Sequence, residues 1–227
     1  MLSWGMEISE NLHAVRSKLP AGVTLVAVSK TKPDEMIMEA YRAGHRDFGE
    51  NKVQDLAAKQ ERLPEDIRWH MIGHLQSNKV KYLAPFVHMI HGVDSLRLLG
   101  VINREAARHD RVIDCLLQLH IAEEETKFGL SREEAIVLLQ SEGYREMMNI
   151  RVRGVMGMAT YTDDQEQIRG EFQNLNRIFE EMKASFFGGQ EYFDQRSIGM
   201  SGDYRIAVEE GSTMVRIGSL IFGARNY

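Results

Sequence analysis

Cysteine occurs once in the 227 residues, at Cys115, so the chain forms no internal disulfide and offers no Cys-x-x-Cys pair for a structural zinc. Basic residues are not in excess: 28 Lys and Arg against 33 Asp and Glu leave a net charge of −5. That balance argues against nonspecific nucleic-acid binding through a broad basic surface, while a local anion site stays compatible with it. No apolar run approaches the roughly 20 residues that span a bilayer. Residues 1–10 carry acidic groups and lack the basic and apolar regions of a secretory signal, so the cytoplasm is the expected compartment. Also missing are Gly-x-Gly-x-x-Gly after a strand, a P-loop, a Gly-x-Ser-x-Gly elbow, any fixed-period repeat and any low-complexity tract. What remains is the composition of an ordinary globular chain, 43% apolar and 27% charged. Its length suits one α/β barrel or two small domains, and nothing divides it, so residues 1–227 are expected to form one domain.

The stretch that organises the rest is Thr24-Leu-Val-Ala-Val-Ser29-Lys30. Leu25 to Val28 are an unbroken apolar run rich in β-branched residues, which suits a parallel strand buried on both faces. Pro33 cannot continue the strand but fits the first turn of a helix, and Asp34 and Glu35 add favourable charge there. Lys30 therefore falls at the C-terminal end of an inner strand. Burying an ammonium is costly unless it is paired or its pKa falls, and a lysine of lowered pKa is the starting point for a Schiff base with an aldehyde. The plainer alternative is a lysine that extends from the rim into water.

Along the chain, apolar residues at Ile8, Leu12, Val15 and Leu19 mark a helix over 6–19, ended by Pro20-Ala21-Gly22. Strands are predicted over 24–30, 45–49, 67–72, 86–90, 112–121, 150–156, 196–199 and 213–218. Helices are predicted between them over 34–43, 52–62, 77–84, 95–109, 131–142, 165–186 and 204–210. Ser131-Arg132-Glu133-Glu134 matches a capping box at the start of one of them. Eight strands alternating with helices predict a single (β/α)8 barrel with an extra N-terminal helix, rather than an open doubly wound sheet.

In such a barrel the site lies at the C-terminal ends of the strands. The seventh strand is followed by Gly199-Met200-Ser201-Gly202-Asp203 and the eighth by Gly218-Ser219. Glycines that let backbone N–H groups approach an anion, with serine hydroxyls beside them, make these loops a candidate phosphate cradle; singly, either could be only a tight turn. Arg216, two residues before Gly218, shares a strand face with Gly218 and Met214. Inside the barrel it needs an acceptor, either a ligand's ring nitrogen or a carboxylate on a neighbouring strand. Lysine, phosphate cradle and arginine together form a set fit for pyridoxal 5′-phosphate.

At this point the sequence resembles a known family. Ala27-Val28-Ser29-Lys30-Thr31-Lys32-Pro33, Phe48-Gly49-Glu50-Asn51, Trp69-His70-Met71-Ile72-Gly73-His74-Leu75-Gln76-Ser77-Asn78-Lys79, Glu125-Thr126-Lys127-Phe128-Gly129, Gly211-Ser212-Thr213-Met214-Val215-Arg216-Ile217-Gly218-Ser219 and Ile221-Phe222-Gly223-Ala224-Arg225 closely resemble the pyridoxal phosphate homeostasis (YggS/PROSC) family. That family is similar to the N-terminal barrel of alanine racemase and ornithine decarboxylase, a fold-type III barrel, and binds the cofactor without an established reaction. The resemblance implies an aldimine on Lys30, phosphate held by Ser201, Gly218 and Ser219, Arg216 facing the ring nitrogen, and Asn51 and Met156 lining the ring pocket. Ser219 stands where many relatives have threonine. No role is assigned to His74 or Phe128.

The resemblance implies a carrier that buffers the reactive aldehyde and hands it to pyridoxal-phosphate-dependent apoenzymes. An alternative is an amino-acid racemase or decarboxylase of the alanine racemase type. Such enzymes add a β-rich second domain that the sequence does not encode, and arginine at the ring nitrogen makes a poor electron sink. Without that domain, a monomer is expected. A Schiff-base aldolase acting on a sugar phosphate would keep Lys30 and the loops but use no cofactor. No metal is expected: His70 and His74 are four apart on a strand and its loop rather than on one helix face. Cys115 reads as core, His120 as a solvated strand end, and the thirteen methionines mostly as packing.

Overall fold

The computed structural model describes residues 3–125 and 128–224, which alternate strand and helix from end to end. After helix α1 (Ser3–Arg16) come β1 (Thr24–Val28), α2 (Asp34–Arg42), β2 (Asp47–Glu50), α3 (Val53–Arg62) and β3 (Arg68–Met71). A 3-10 helix (Ser77–Tyr82) leads to β4 (Met89–Val93), α4 (Leu96–Arg108) and β5 (Ile113–Gln118). The second half adds α5 (Arg132–Gln140), α6 (Glu142–Arg145), β6 (Ile150–Met156), α7 (Gln165–Phe186), β7 (Gln195–Ser197), α8 (Tyr204–Glu209), β8 (Met214–Ile217) and α9 (Ser219–Phe222). Each strand pairs in parallel with the next, and β8 pairs back onto β1, closing the expected (β/α)8 barrel.

The apolar run of β1 is explained by two packed surfaces. Leu25 and Ala27 point out, into the core shared with Phe48, Trp69, Met71 and the helices. Val26 points in, where Met89, Leu116, Met156 and Met214 form a separate cluster inside the barrel, with Ile72 and Met158 against it. The long apolar stripe of α7, including Phe172, Leu175 and Phe179, is buried as its spacing requires, and Asp164 caps the helix by accepting from the N–H groups of Glu166 and Gln167. The capping box at Ser131 and Glu134 is formed. Gly154 sits at positive φ where the β5–β6 register shifts, and a Cβ there would lie 1.8 Å from the Gln195 carbonyl oxygen, so only glycine fits.

Several predicted bounds move, each for a physical reason. The fourth strand is β4 at Met89–Val93, not 86–90, because Val87 packs in the outer core while the strand continues through His91 and Gly92, polar and small residues that hydropathy does not read as strand. The short helix expected over 77–84 is a 3-10 helix and ends at Tyr82. The helix over 131–142 divides at Ser141, whose hydroxyl accepts from the Tyr144 N–H and starts α6. β5 stops at Gln118 rather than residue 121, where the chain turns towards an isolated bridge between Leu119 and Leu130. Helix α9 begins at Ser219, where the sequence predicts no helix after the eighth strand. Among the described residues no helix is long and apolar enough to cross a membrane.

Candidate functional site

β1 ends at Val28, and the chain turns through Ser29, Lys30 and Thr31 before α2. Ser29 is buried; its N–H donates to the Gly49 carbonyl oxygen at 3.0 Å and its hydroxyl to the same oxygen at 3.3 Å. From α3, the Lys59 ammonium donates to the Ser29 carbonyl oxygen at 2.9 Å and pairs with the Glu50 carboxylate. Glu50 is fully buried, and burial pushes its carboxyl above the ordinary range against the pull of the Lys59 charge. This buried ion pair brackets the backbone that delivers Lys30. Thr31 follows at φ 63°, a left-handed conformation that is uncommon for a β-branched residue and stores strain next to the lysine. Lys30 is half-buried at the barrel mouth.

Arg216 is the second component. In the parallel register Val26 on β1 lies opposite Arg216 on β8, so this side chain joins the inward face that leads up to Lys30. It is 4% exposed. Its Nη1 donates to the Ser197 hydroxyl oxygen at 2.7 Å and the Ser197 carbonyl oxygen at 3.0 Å, and its Nη2 donates to the Gly157 carbonyl oxygen at 3.1 Å. The carboxylate partner considered from the sequence is therefore not what holds it; its acceptors are neutral. A guanidinium has five N–H donors and no acceptor, so the Nε–H and one Nη2–H remain to be offered. Burial lowers its pKa to about 10, with Asp203 opposing the shift, and it stays charged at neutral pH.

The two glycine loops meet beside it. The Arg216 N–H donates to Gly199 at 2.9 Å, which extends the β7–β8 pairing into the first loop. Gly199 has φ +105°, with Ala207 so close that an added Cβ would fall 2.8 Å from it. The loop is folded by the Asp203 carboxylate accepting from the Met200 N–H at 2.7 Å. Among the described residues the N–H groups of Ser201, Gly202 and Ser219 meet no acceptor. A cavity of about 480 Å³ between α1 and α8 is lined by Ser201 and Leu220 but not by Lys30, Arg216, Gly218 or Ser219, so it lies on the outer side of these loops. Gly218 lies against β1: a Cβ there would sit 3.2 Å from Val28. A larger cavity of about 830 Å³ lies on the outer flank between α2 and α3, away from the strand ends, among ion-paired charges such as Arg62 and Asp34.

Met156 ends β6 inside the barrel, 1% exposed, and Asn51 follows β2 half-buried, its backbone so near Gly73 that a Cβ at Gly73 would clash. At the rim the His74 and Phe128 rings stack with centroids 3.9 Å apart. Thr126, Lys127 and Arg225 lie outside the described residues. His70 and His74 do not converge: His70 points into the barrel with both ring nitrogens engaged. Asp47, His70 and His88 do gather potential ligand atoms at the barrel floor, but the Asp47 carboxylate is already held by Arg68 at 2.7 and 2.9 Å. Sequence reasoning missed Glu50, Lys59, His91 and Ser197. Each is a buried polar residue, and its partner lies on another element, so spacing along the chain carries no trace of the pairing.

Comparison with known proteins gives a consistent pattern. Residues 6–226 match the family model described as alanine racemase, N-terminal domain. A pyridoxal phosphate homeostasis protein of Aquifex aeolicus is 39% identical over 204 residues, covering 89% of this chain and 87% of that protein. One from Vibrio alginolyticus is 38% identical, covering 97% and 98%. Among solved structures, PipY of Synechococcus elongatus with pyridoxal phosphate bound is 34% identical, with a TM-score of 0.86 over 95% of this chain and 100% of that one. Alanine racemase from Clostridium difficile shares the fold at 12% identity, with a TM-score of 0.78; 98% of this chain covers 58% of that one.

Proposed function

The chain belongs to the alanine racemase N-terminal-domain family, among its pyridoxal phosphate homeostasis proteins, and from that membership we propose that it binds pyridoxal 5′-phosphate covalently on Lys30 and serves to carry and buffer it. Bound there, the cofactor supplies an aldehyde that condenses with a primary amine, releasing water. In this reading residues 1–227 act as one binding unit. Ser201, Gly218 and Ser219 hold the phosphate with N–H and hydroxyl donors, and Asn51 and Met156 line the ring. The observation that carries the reading is Arg216: a buried, charged, donor-only group on the strand paired with the lysine strand, with N–H groups left to offer. A pyridine nitrogen is an acceptor and suits it.

The same residue favours carrying over turnover. A guanidinium of pKa about 10 cannot protonate the ring nitrogen at neutral pH, so the ring is a weak electron sink for carbanion chemistry. We therefore read the protein as a monomeric, cytoplasmic carrier that delivers its cofactor to apoenzymes, rather than as a racemase or decarboxylase. The test is an absorption spectrum of the purified protein before and after borohydride, with the label mapped by mass. A visible band that collapses on reduction, with pyridoxyl mass on Lys30, is expected. A colourless protein that gains no mass with added pyridoxal phosphate would overturn the reading in favour of a cofactor-free aldolase.

A further inference from the structure

A continuous chain of hydrogen bonds crosses the barrel interior from floor to mouth. Asp47 Oδ1 and His70 Nε2 are 3.0 Å apart, His70 Nδ1 and His91 Nε2 2.9 Å, His91 Nδ1 and the Ser197 hydroxyl 2.9 Å, and that hydroxyl accepts from Arg216 at 2.7 Å. His70, His91 and Ser197 are at most 1% exposed. Barrel interiors are ordinarily filled by branched apolar side chains, so five polar residues aligned through this one call for an explanation.

Donor counting restricts the chain to two arrangements. His91 is neutral, because burial holds its pKa well below the ordinary value, with the nearby Arg216 charge acting in the same direction. If its proton is on Nε2, it donates to His70 Nδ1; His70 is then neutral and donates from Nε2 to Asp47. In that case Ser197 gives its only proton to His91 Nδ1 and can only accept from Arg216. If the His91 proton is on Nδ1, His70 must donate from both nitrogens and be an imidazolium, and the Ser197 hydroxyl proton is released elsewhere. The first arrangement is the one that needs no charged link between the Arg216 guanidinium and the Asp47 carboxylate. Asp47 is already matched by Arg68, Arg216 lies at the far end of the chain, His88 packs beside His70 as a second imidazole, and Asp114 on β5 is paired with Arg151 and Arg153. The first arrangement adds no cation to the buried interior, where desolvating one is costly.

We propose that Asp47, His70, His91 and Ser197 are positioning residues for the cofactor, forming a one-way run of donors from Arg216 to the Asp47 carboxylate that fixes the Arg216 guanidinium for the ring nitrogen. The inference rests on the reading of Arg216 given above. The carboxylate at the floor sets each imidazole tautomer in turn, and the last link turns Ser197 into a pure acceptor for Arg216.

The experiment is long-range nitrogen NMR of the imidazoles in the full-length, cofactor-free protein, paired with absorption spectra after loading with pyridoxal phosphate. Both His70 and His91 are expected to carry their proton on Nε2. Ser197→Ala should move His91 Nδ1 to the position of an unbonded ring nitrogen and shift the visible band of the loaded protein, and Ser197→Thr should restore both. Asp47→Asn, which keeps an acceptor but loses the charge, should populate the Nδ1–H tautomer at both histidines. A His91 proton on Nδ1 in the unaltered protein overturns the proposal, as do tautomers unmoved by Asp47→Asn or a visible band unmoved by Ser197→Ala. Should the protein take up no pyridoxal phosphate, the functional reading falls, and with it the role toward the cofactor, while the nitrogen shifts still decide the donor direction.

Discussion

Lys30→Ala is expected to abolish borohydride-fixed pyridoxyl while leaving the far-ultraviolet circular dichroism of the barrel unchanged; label persisting at wild-type level would put the amine elsewhere. Ser201→Ala and Ser219→Ala each remove a hydroxyl donor from the loops after β7 and β8. By titration, each should weaken retention of the cofactor by about 1–2 kcal/mol, the value of a charge-assisted hydrogen bond. Thr31 is a separate case, because its φ of 63° is adopted against steric preference. Thr31→Gly removes the clash at some entropic cost, and a rise in Tm of about 2–4 °C is expected, as for a gain near 1 kcal/mol in a domain of this size. A fall in Tm would mean that the threonine side chain contributes more than its backbone strain costs.

At the scale of elements, the α3–β2 ion pair is the support under the lysine turn. Lys59→Met leaves the Glu50 carboxylate buried without its cation and should cost about 3–5 kcal/mol in urea denaturation, with much of that recovered by adding Glu50→Gln. A single-variant loss below about 1 kcal/mol would show that the carboxyl is already neutral. Elements whose burial follows one period were legible in the sequence: β6 at Ile150–Met156 and α7 at Gln165–Phe186 stand where apolar spacing put them. So did Arg216, because alternation along β8 fixes its face from Met214 and Gly218. What could not be read is what depends on register between strands. His70, His91 and Ser197 are brought together only when β3, β4 and β7 line the same interior, and hydropathy counts each of them against a buried strand. β4 was misplaced for that reason, since its true centre is His91 and Gly92.

For the whole molecule, the buried imidazoles make acid the weak side. His45 is lowered to about 4 by burial and the nearby Arg16 charge, His88 to about 4 by burial, and His91 lies well below its ordinary value. Between about pH 6.5 and 4 the unfolded chain binds protons that the folded one refuses, so stability falls as pH drops through this window. Asp47 extends the loss below the ordinary carboxylate range: its burial would raise it, but hydrogen bonds from His70 and Arg68 hold it down. Glu50, raised by burial, contributes in the opposite sense just above its ordinary value. Calorimetry should find Tm falling from pH 7 to 4, and less steeply in His45→Gln; an equal slope would mean that His45 titrates normally in the fold. The β1–β8 seam, which joins Thr24 to Met214 and Ala27 to Ile217, has a consequence in time rather than energy. During synthesis from the N-terminus, the strand that delivers Lys30 emerges first and must wait, with one edge unpaired, for a partner made almost two hundred residues later. Arg216 and both glycine loops arrive with that partner, so on the proposed reading a nascent chain has its reactive amine long before it has anything to hold the cofactor against it. Stable uptake of the cofactor would then mark a chain whose translation and ring closure are both finished.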